Sequence, residues 1–205
     1  MKKIFVSLFI ALFFVFAGCQ GENKKKLAFE EEYKHYSNQA VIDALKWEWF
    51  DGEKYNSVFE NHVFEKNTFE EVKAAMESKG KTYIYFGYNP KLYQCPYCAI
   101  ILPIANEAAI KNGVDKILYL DIYQMRKDDT EEYQWLKQFI KNQIPDFGEK
   151  ILVPDYYVIE DGKILSHHIA TLPYEKEDGS IGYLKDLTPK QIKEIEDIFD
   201  EMFKE

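Results

Sequence analysis

The sequence predicts an α/β domain, a central mixed β-sheet with helices on both faces, carried behind a short N-terminal address. Three observations lead there. Between Thr68 and Phe203, stretches with helical periodicity alternate with β-branched and aromatic runs; a hairpin signal follows the third helix; and two cysteines fall where the first of these strands gives way to a helix. The 205 residues suit one domain plus extra segments, and 15 Tyr and 15 Phe promise an aromatic-rich core. A formal net charge of −9 argues against a nucleic-acid partner, since phosphate binding needs a basic surface.

The address comes first. Met1-Lys2-Lys3, the apolar run Ile4 to Phe16 and then Ala17-Gly18-Cys19 have the basic start, hydrophobic middle and small-residue end of a secretory signal. The run is shorter than the about 20 apolar residues of a spanning helix, and polar Gln20-Gly21-Glu22-Asn23 follows at once. Val15-Phe16-Ala17-Gly18-Cys19 resembles the lipobox of bacterial lipoproteins, with Phe16 where that family usually has Leu. The resemblance implies a signal peptide over 1–18, a diacylglycerol-modified Cys19 as lipidation site and a chain anchored on the extracytoplasmic face of a bacterial membrane. The bland alternative is an ordinary signal peptide with an incidental Cys. Loss of Lys2 and Lys3 leaves 24 basic against 35 acidic residues, a net of −11, which repels anionic headgroups. Acyl chains, at about 0.8 kcal/mol per buried methylene, would have to hold the protein. Residues 19–26 read as a polar tether.

Residues 27–61 form an N-terminal helical extension. From Glu30 to Trp49, Tyr33, Tyr36, Ala40, Val41, Ala44, Leu45 and Trp47 sit at spacings of an amphipathic helix, which we expect to pack on the main domain rather than to recognise a partner. The main domain spans 62–205. Thr68-Phe69-Glu70-Glu71 is a capping box that opens a helix closed by Ser78-Lys79-Gly80. Thr82 to Tyr88 reads as a buried strand, broken by Asn89 and Pro90. Ala99 to Asn112 has helical composition interrupted by Pro103, and Lys116 to Ile122 reads as a second strand. Asp128 to Gln143 carries Tyr133, Leu136, Phe139 and Ile140 on one helical face. Tyr156 to Ile159 and Ile164 to Ile169 flank the turn Glu160-Asp161-Gly162-Lys163 as a hairpin. A polar loop is expected through Glu175 to Gly179, and Thr188-Pro189 starts a last helix through Phe203.

The chemistry centres on Cys95-Pro96-Tyr97-Cys98. At a strand-to-helix junction the first turn's unpaired N–H groups face Cys95, and the positive helix end together with partial exposure favours its thiolate, the form that attacks a disulfide. Two intervening residues let Cys98 reach back to Cys95. Other readings stand beside this one. A structural disulfide would close so small a loop that it constrains the unfolded chain little. Zinc needs about four ligands, and His35, His62, His167 and His168 are scattered, the last two on opposite faces if they lie in a strand.

Over roughly Phe64 to Phe203 the chain resembles the thioredoxin superfamily. Pro103, five residues after Cys98, matches the family's helix-kinking proline; Val153-Pro154-Asp155 looks like its cis-proline loop; Asp161-Gly162-Lys163 and the Thr188 to Phe203 helix match its hairpin turn and closing helix. The resemblance implies a thioredoxin-like fold and a thiol-disulfide oxidoreductase with catalytic Cys95 as nucleophile and Cys98 resolving. Pro96 and Tyr97 would tune the pair, and Val153 and Pro154 would shape the substrate groove. The redox group would be the Cys95–Cys98 disulfide, with no other cofactor and no metal. Partners would be protein or peptide thiols and disulfides and a membrane redox partner. The chain departs from the family pattern in lacking an acid over Tyr83 to Tyr88, in placing Gln94 where the family has tryptophan, in lengthening the loop over Asn89 to Tyr93, and in carrying extra residues over Asp128 to Gly148 and Pro173 to Gly182. Among lipoproteins the whole is similar to the thioredoxin-like bacteriocin transport accessory proteins. Two rival functions follow from that setting: a non-catalytic binding module for a secreted peptide or transporter, and a metal-delivery lipoprotein, whose thioredoxin-fold relatives have wider cysteine spacing and a partnered His.

Overall fold

The computed structural model describes residues 21–204, so the expected signal segment 1–18 and Cys19 lie outside the described residues. Residues 21–33 lie in one helix, α1, and the described part of the expected 19–26 tether, residues 21–26, belongs to it. Its polar side is tied down: Lys25 donates to Asn67 Oδ1 and Glu71 Oε1, each at 2.7 Å, and Lys26 donates to the His62 carbonyl at 3.1 Å. Its apolar side buries Phe29 and Tyr33, one turn apart, with rings stacked at 4.4 Å.

The single amphipathic helix expected over 30–49 is instead a series of short pieces. After α1 come a 3-10 turn over Lys34–Ser37, α2 (Gln39–Leu45) and α3 (Gly52–Ser57). Asn38 causes the first break, since its extended backbone lets its side chain cap α2 by accepting from Ala40 N at 3.0 Å. Lys46, left-handed at φ 53°, ends α2. The segment thereby curls and buries Tyr36 and Tyr55 where a straight helix would have pointed only one face inward.

The main domain then runs β1 (Phe64–Lys66), α4 (Phe69–Glu77), β2 (Lys81–Gly87), α5 (Pro96–Lys111), β3 (Ile117–Asp121), α6 (Tyr123–Asp128), α7 (Glu131–Lys141), β4 (Asp155–Glu160), β5 (Lys163–Ile169), β6 (Pro173–Glu175), β7 (Ile181–Tyr183) and α8 (Pro189–Lys204). Both arms of the expected capping box close on α4: Thr68 accepts from Glu71 N, and Glu71 accepts from Thr68 N. Thr130 caps α7 and so starts it later than expected, while α6 occupies a stretch that carries no start signal in the sequence. Asp161 and Gly162, at φ 51° and 79°, form the expected turn, which Asp161 fastens to the α4–β2 corner by accepting from Gly80 N at 2.7 Å. The expected polar loop near 175–179 forms the tip of the β6–β7 hairpin, whose two short strands the sequence reading does not assign.

The five-stranded sheet has the order β1-β3-β2-β4-β5, with β1, β3 and β2 parallel and β4 and β5 antiparallel. Helices cover both faces. On one face α5 and α8 pack with the N-terminal segment around Tyr33, Tyr85, Tyr119, Tyr156 and Phe199; on the other α4 and α7 pack on Ile84, Phe86, Leu120 and Tyr157. The tyrosines need polar exits, and Tyr33 and Tyr85 find one by pairing their hydroxyls at 2.6 Å. Gly87 makes that pairing possible, because a Cβ there would lie 2.6 and 2.7 Å from the two hydroxyl oxygens.

Candidate active site

Cys95 is the N-cap of α5 and is joined to Cys98 by a disulfide. Pro96 takes the first helical position, where its missing N–H costs nothing. The Cys98 N–H donates to Cys95 Sγ at 3.1 Å, so a first-turn donor does point at that sulfur. Cys95 Sγ lies 3.9 Å from the carbonyl oxygen of Val153, and the Val153–Pro154 bond is cis. The four residues expected at the site around the cysteines, Pro96, Tyr97, Val153 and Pro154, are therefore brought together with them. Cys19 lies outside the described residues.

One expectation is corrected. The sequence predicts a partly exposed Cys95, yet in the fold it is 4% exposed and Cys98 1%. The Val153 carbonyl covers the sulfur from one side, and the Cys95 N–H is occupied by Tyr36, whose hydroxyl accepts it at 2.9 Å. What remains open is a cleft of about 1160 Å³ whose lining includes Cys95, Pro96, Tyr97 and Val153.

Residues 128–148 and the β6–β7 hairpin supply much of this cleft. Tyr133 and Lys137 of α7, with Phe147 beyond it, line one side, and Tyr174, Gly182 and Tyr183 of the β6–β7 hairpin line another. Tyr183 meets Tyr97 edge-on at 6.3 Å, and Lys185 lies over the Tyr97 ring at 5.6 Å. The loop after β2 is held by Asn89, which accepts from the Lys91, Leu92 and Tyr93 N–H groups, and Tyr93 stacks on Tyr123 at 5.4 Å.

Asp155, one residue past Pro154, is fully buried. Its Oδ2 accepts from the Tyr157 hydroxyl at 2.5 Å, its Oδ1 has no hydrogen-bond partner, and burial holds its carboxyl well above the usual range. Burial pushes the Tyr36 hydroxyl up to about 12, so it stays a neutral phenol beside Cys95. The histidines do not converge. His62 pairs with Glu30 at 3.3 Å, His167 stacks on Tyr157, and half-buried His168 packs edge-on against Phe199. Among the described residues no group of three His, Cys, Asp or Glu is placed to hold a metal ion.

Tyr36 and Tyr183 are site residues that the sequence reading does not assign. The aromatic spacing gives Tyr36 a place in the core but says nothing about which backbone group it meets.

Strand order, strand directions, a two-cysteine motif opening α5 and a cis-proline preceding β4 define the fold as thioredoxin-like, a central mixed sheet flanked by helices with an added N-terminal helical segment. No protein-family model matches the chain, and no curated protein does. Among solved structures it is similar to oxidised thioredoxin from Plasmodium falciparum (13% identity, 54% of this chain and 86% of that one, TM-score 0.34). It is also similar to thioredoxin from Trypanosoma brucei brucei (18%, 53% and 78%, 0.33) and to a mutant thioredoxin from Halobacterium salinarum (11%, 69% and 89%, 0.33). At these TM-scores the fold rests on its own topology and not on the likeness.

Proposed function

We propose that this chain is a thiol-disulfide oxidoreductase that acts on protein or peptide disulfides outside the cytoplasm, held to a membrane through lipid on Cys19. The observation that carries the chemistry is the Cys98 N–H directed at Cys95 Sγ at the start of a sixteen-residue helix, with the Val153–Pro154 backbone alongside. A first-turn donor and the helix dipole both stabilise a thiolate at Cys95.

In the reduced protein, Cys95 thiolate attacks one sulfur of a substrate disulfide, forming a mixed disulfide and expelling the other substrate sulfur as thiolate. Cys98 thiolate then attacks Cys95 Sγ, the mixed disulfide breaks, and the second substrate sulfur leaves. The protein's two thiols become one disulfide, and the substrate gains two electrons and, from solvent, two protons. Run backwards, the same steps donate a disulfide. The Val153–Pro154 loop would offer backbone groups to an extended polypeptide, and Pro96 and Tyr97 would set the surroundings of the pair. The redox group is the disulfide itself, and a membrane thiol-disulfide donor or acceptor would reset it.

Cys95→Ser should abolish insulin-disulfide reduction and dithiol oxidation, whereas Cys98→Ala should accumulate the mixed disulfide on non-reducing gels. Full activity in Cys95→Ser refutes the assignment. The anchor has its own test: Cys19→Ser should move the chain from membrane to soluble fractions, and unchanged membrane retention removes lipid on Cys19 as the cause.

The low exposure of both sulfurs favours one rival, a thioredoxin-fold binding module with idle cysteines. Alkylation of the reduced protein at graded pH separates the two. One fast thiol with a depressed pKa supports the oxidoreductase, and two equally inert thiols support the binder.

A further inference from the structure

Around the Cys95 cleft the charge balance of the molecule is reversed. Over the whole chain acids outnumber bases, 35 to 26. Along the cleft, Arg126, Lys127, Lys137 and Lys141 stand on the side built by α6 and α7, and Lys150, Lys176 and Lys185 on the remainder, against two carboxylates, Asp129 and Glu149. Asp129 is already met by Lys137 at 3.3 Å. Arg126 is turned inward, bonded to the Tyr88 hydroxyl and the Ile151 carbonyl. Among the described residues Lys127, Lys141, Lys150, Lys176 and Lys185 form no ion pair with a carboxylate.

We propose that this cleft takes an acidic, extended polypeptide segment and presents that segment's cysteine to Cys95. This substrate class rests on the exchange reading above and deepens it. A concave site whose rim carries one sign of charge focuses the field into the cleft, raising the local concentration of a ligand of opposite sign and its association rate. Like charges on a basic segment are repelled from the same rim, so charge selects as well as attracts. The interior is not wholly ionic. Tyr93, Tyr97, Tyr174 and Tyr183 give it flat, amphipathic surfaces that accommodate peptide groups and side chains. A volume of about 1160 Å³ exceeds the usual drug-sized pocket of about 300–1,000 Å³ and suits several residues of chain. An anionic bilayer has the matching charge but is flat, and the acidic remainder of the molecule would oppose its approach.

The experiment uses the full chain, reduced, with three disulfide-bonded peptides of equal length in which the residues flanking the cysteine are Glu-rich, uncharged or Lys-rich. At low salt the second-order rate should rank Glu-rich above uncharged above Lys-rich, with the extremes differing by about tenfold or more, and the spread should shrink several-fold in about 0.5 M salt. The ratio of Glu-rich to Lys-rich rate should fall towards or below one in the doubly charge-reversed variant Lys141→Glu with Lys176→Glu. Reading a ratio removes any general loss of activity in that variant. Equal rates for all three peptides, or a preference for the Lys-rich one, overturn the acidic substrate class while leaving exchange at Cys95 standing. No exchange with any of the three, the uncharged one included, overturns the exchange reading itself, and this class with it. Binding to phosphatidylglycerol vesicles together with no ranking among the peptides assigns the basic rim to lipid and likewise overturns the proposal.

Discussion

Tyr36 is the residue through which the N-terminal segment reaches the cysteines. Its hydroxyl accepts the Cys95 N–H, a helix-start donor that would otherwise be buried without a partner. Tyr36→Phe keeps the ring and its packing but deletes this acceptor. The expected cost is about 1–3 kcal/mol, the usual penalty for stranding a buried polar group, measured as a shift in the urea midpoint. A Phe variant as stable as the parent means that water replaces the hydroxyl, and the contact then has no structural weight. At the same scale, Cys95 illustrates how burial and access differ: the residue is almost without exposed area, yet it lies on the wall of a cleft of about 1160 Å³.

Strands β4 and β5 each carry a titratable group shifted by desolvation, Asp155 fully buried and His168 half-buried, and the two act on stability with opposite signs. On β4, burial raises the Asp155 carboxyl above its ordinary value of 3.8. The folded state thus binds a proton that the unfolded state has lost, and stability falls as pH rises from about 4 towards the folded pKa. On β5, burial lowers His168 to about 4 from 6.5. There the unfolded state binds the extra proton, and stability falls as pH drops from about 6.5 towards 4, by at most about 1.4 kcal/mol per pH unit. Asp155→Asn copies the protonated carboxyl, can still accept from Tyr157, and removes only the first effect. Its melting temperature relative to the parent should therefore rise with pH between 4 and 8, with little difference at pH 4. A difference that stays constant across that range shows that Asp155 does not change protonation on folding. Among the helices, α2 and α3 show why periodicity alone misreads the N-terminal segment. Spacing of apolar residues fits both a continuous helix and a broken one, and the choice falls to Asn38 as a cap and Lys46 in a left-handed turn.

At the scale of the molecule, what is legible beforehand follows from local chemistry. The capping box at Thr68, the Asp161-Gly162 turn, the Thr188-Pro189 start and the cysteines at the head of α5 are each encoded within a few residues, because a cap or tight turn is satisfied by its own neighbours. The layering follows once helix and strand alternate. Three-residue β1 escapes a sequence reading because Phe64-Glu65-Lys66 has too little pattern to stand out; its partner β3, about fifty residues away, makes it a strand. The hairpin β6–β7 hides in a polar loop for the same reason. By itself, then, the sequence determined the α/β layering, the two-cysteine junction and the proline that precedes β4. Only the tertiary structure decided that Tyr36 would meet the Cys95 N–H, that both sulfurs would be nearly covered, and that lysines from distant segments would gather around one cleft. These are contacts between residues far apart in the chain, and no local cap, turn or periodicity records them.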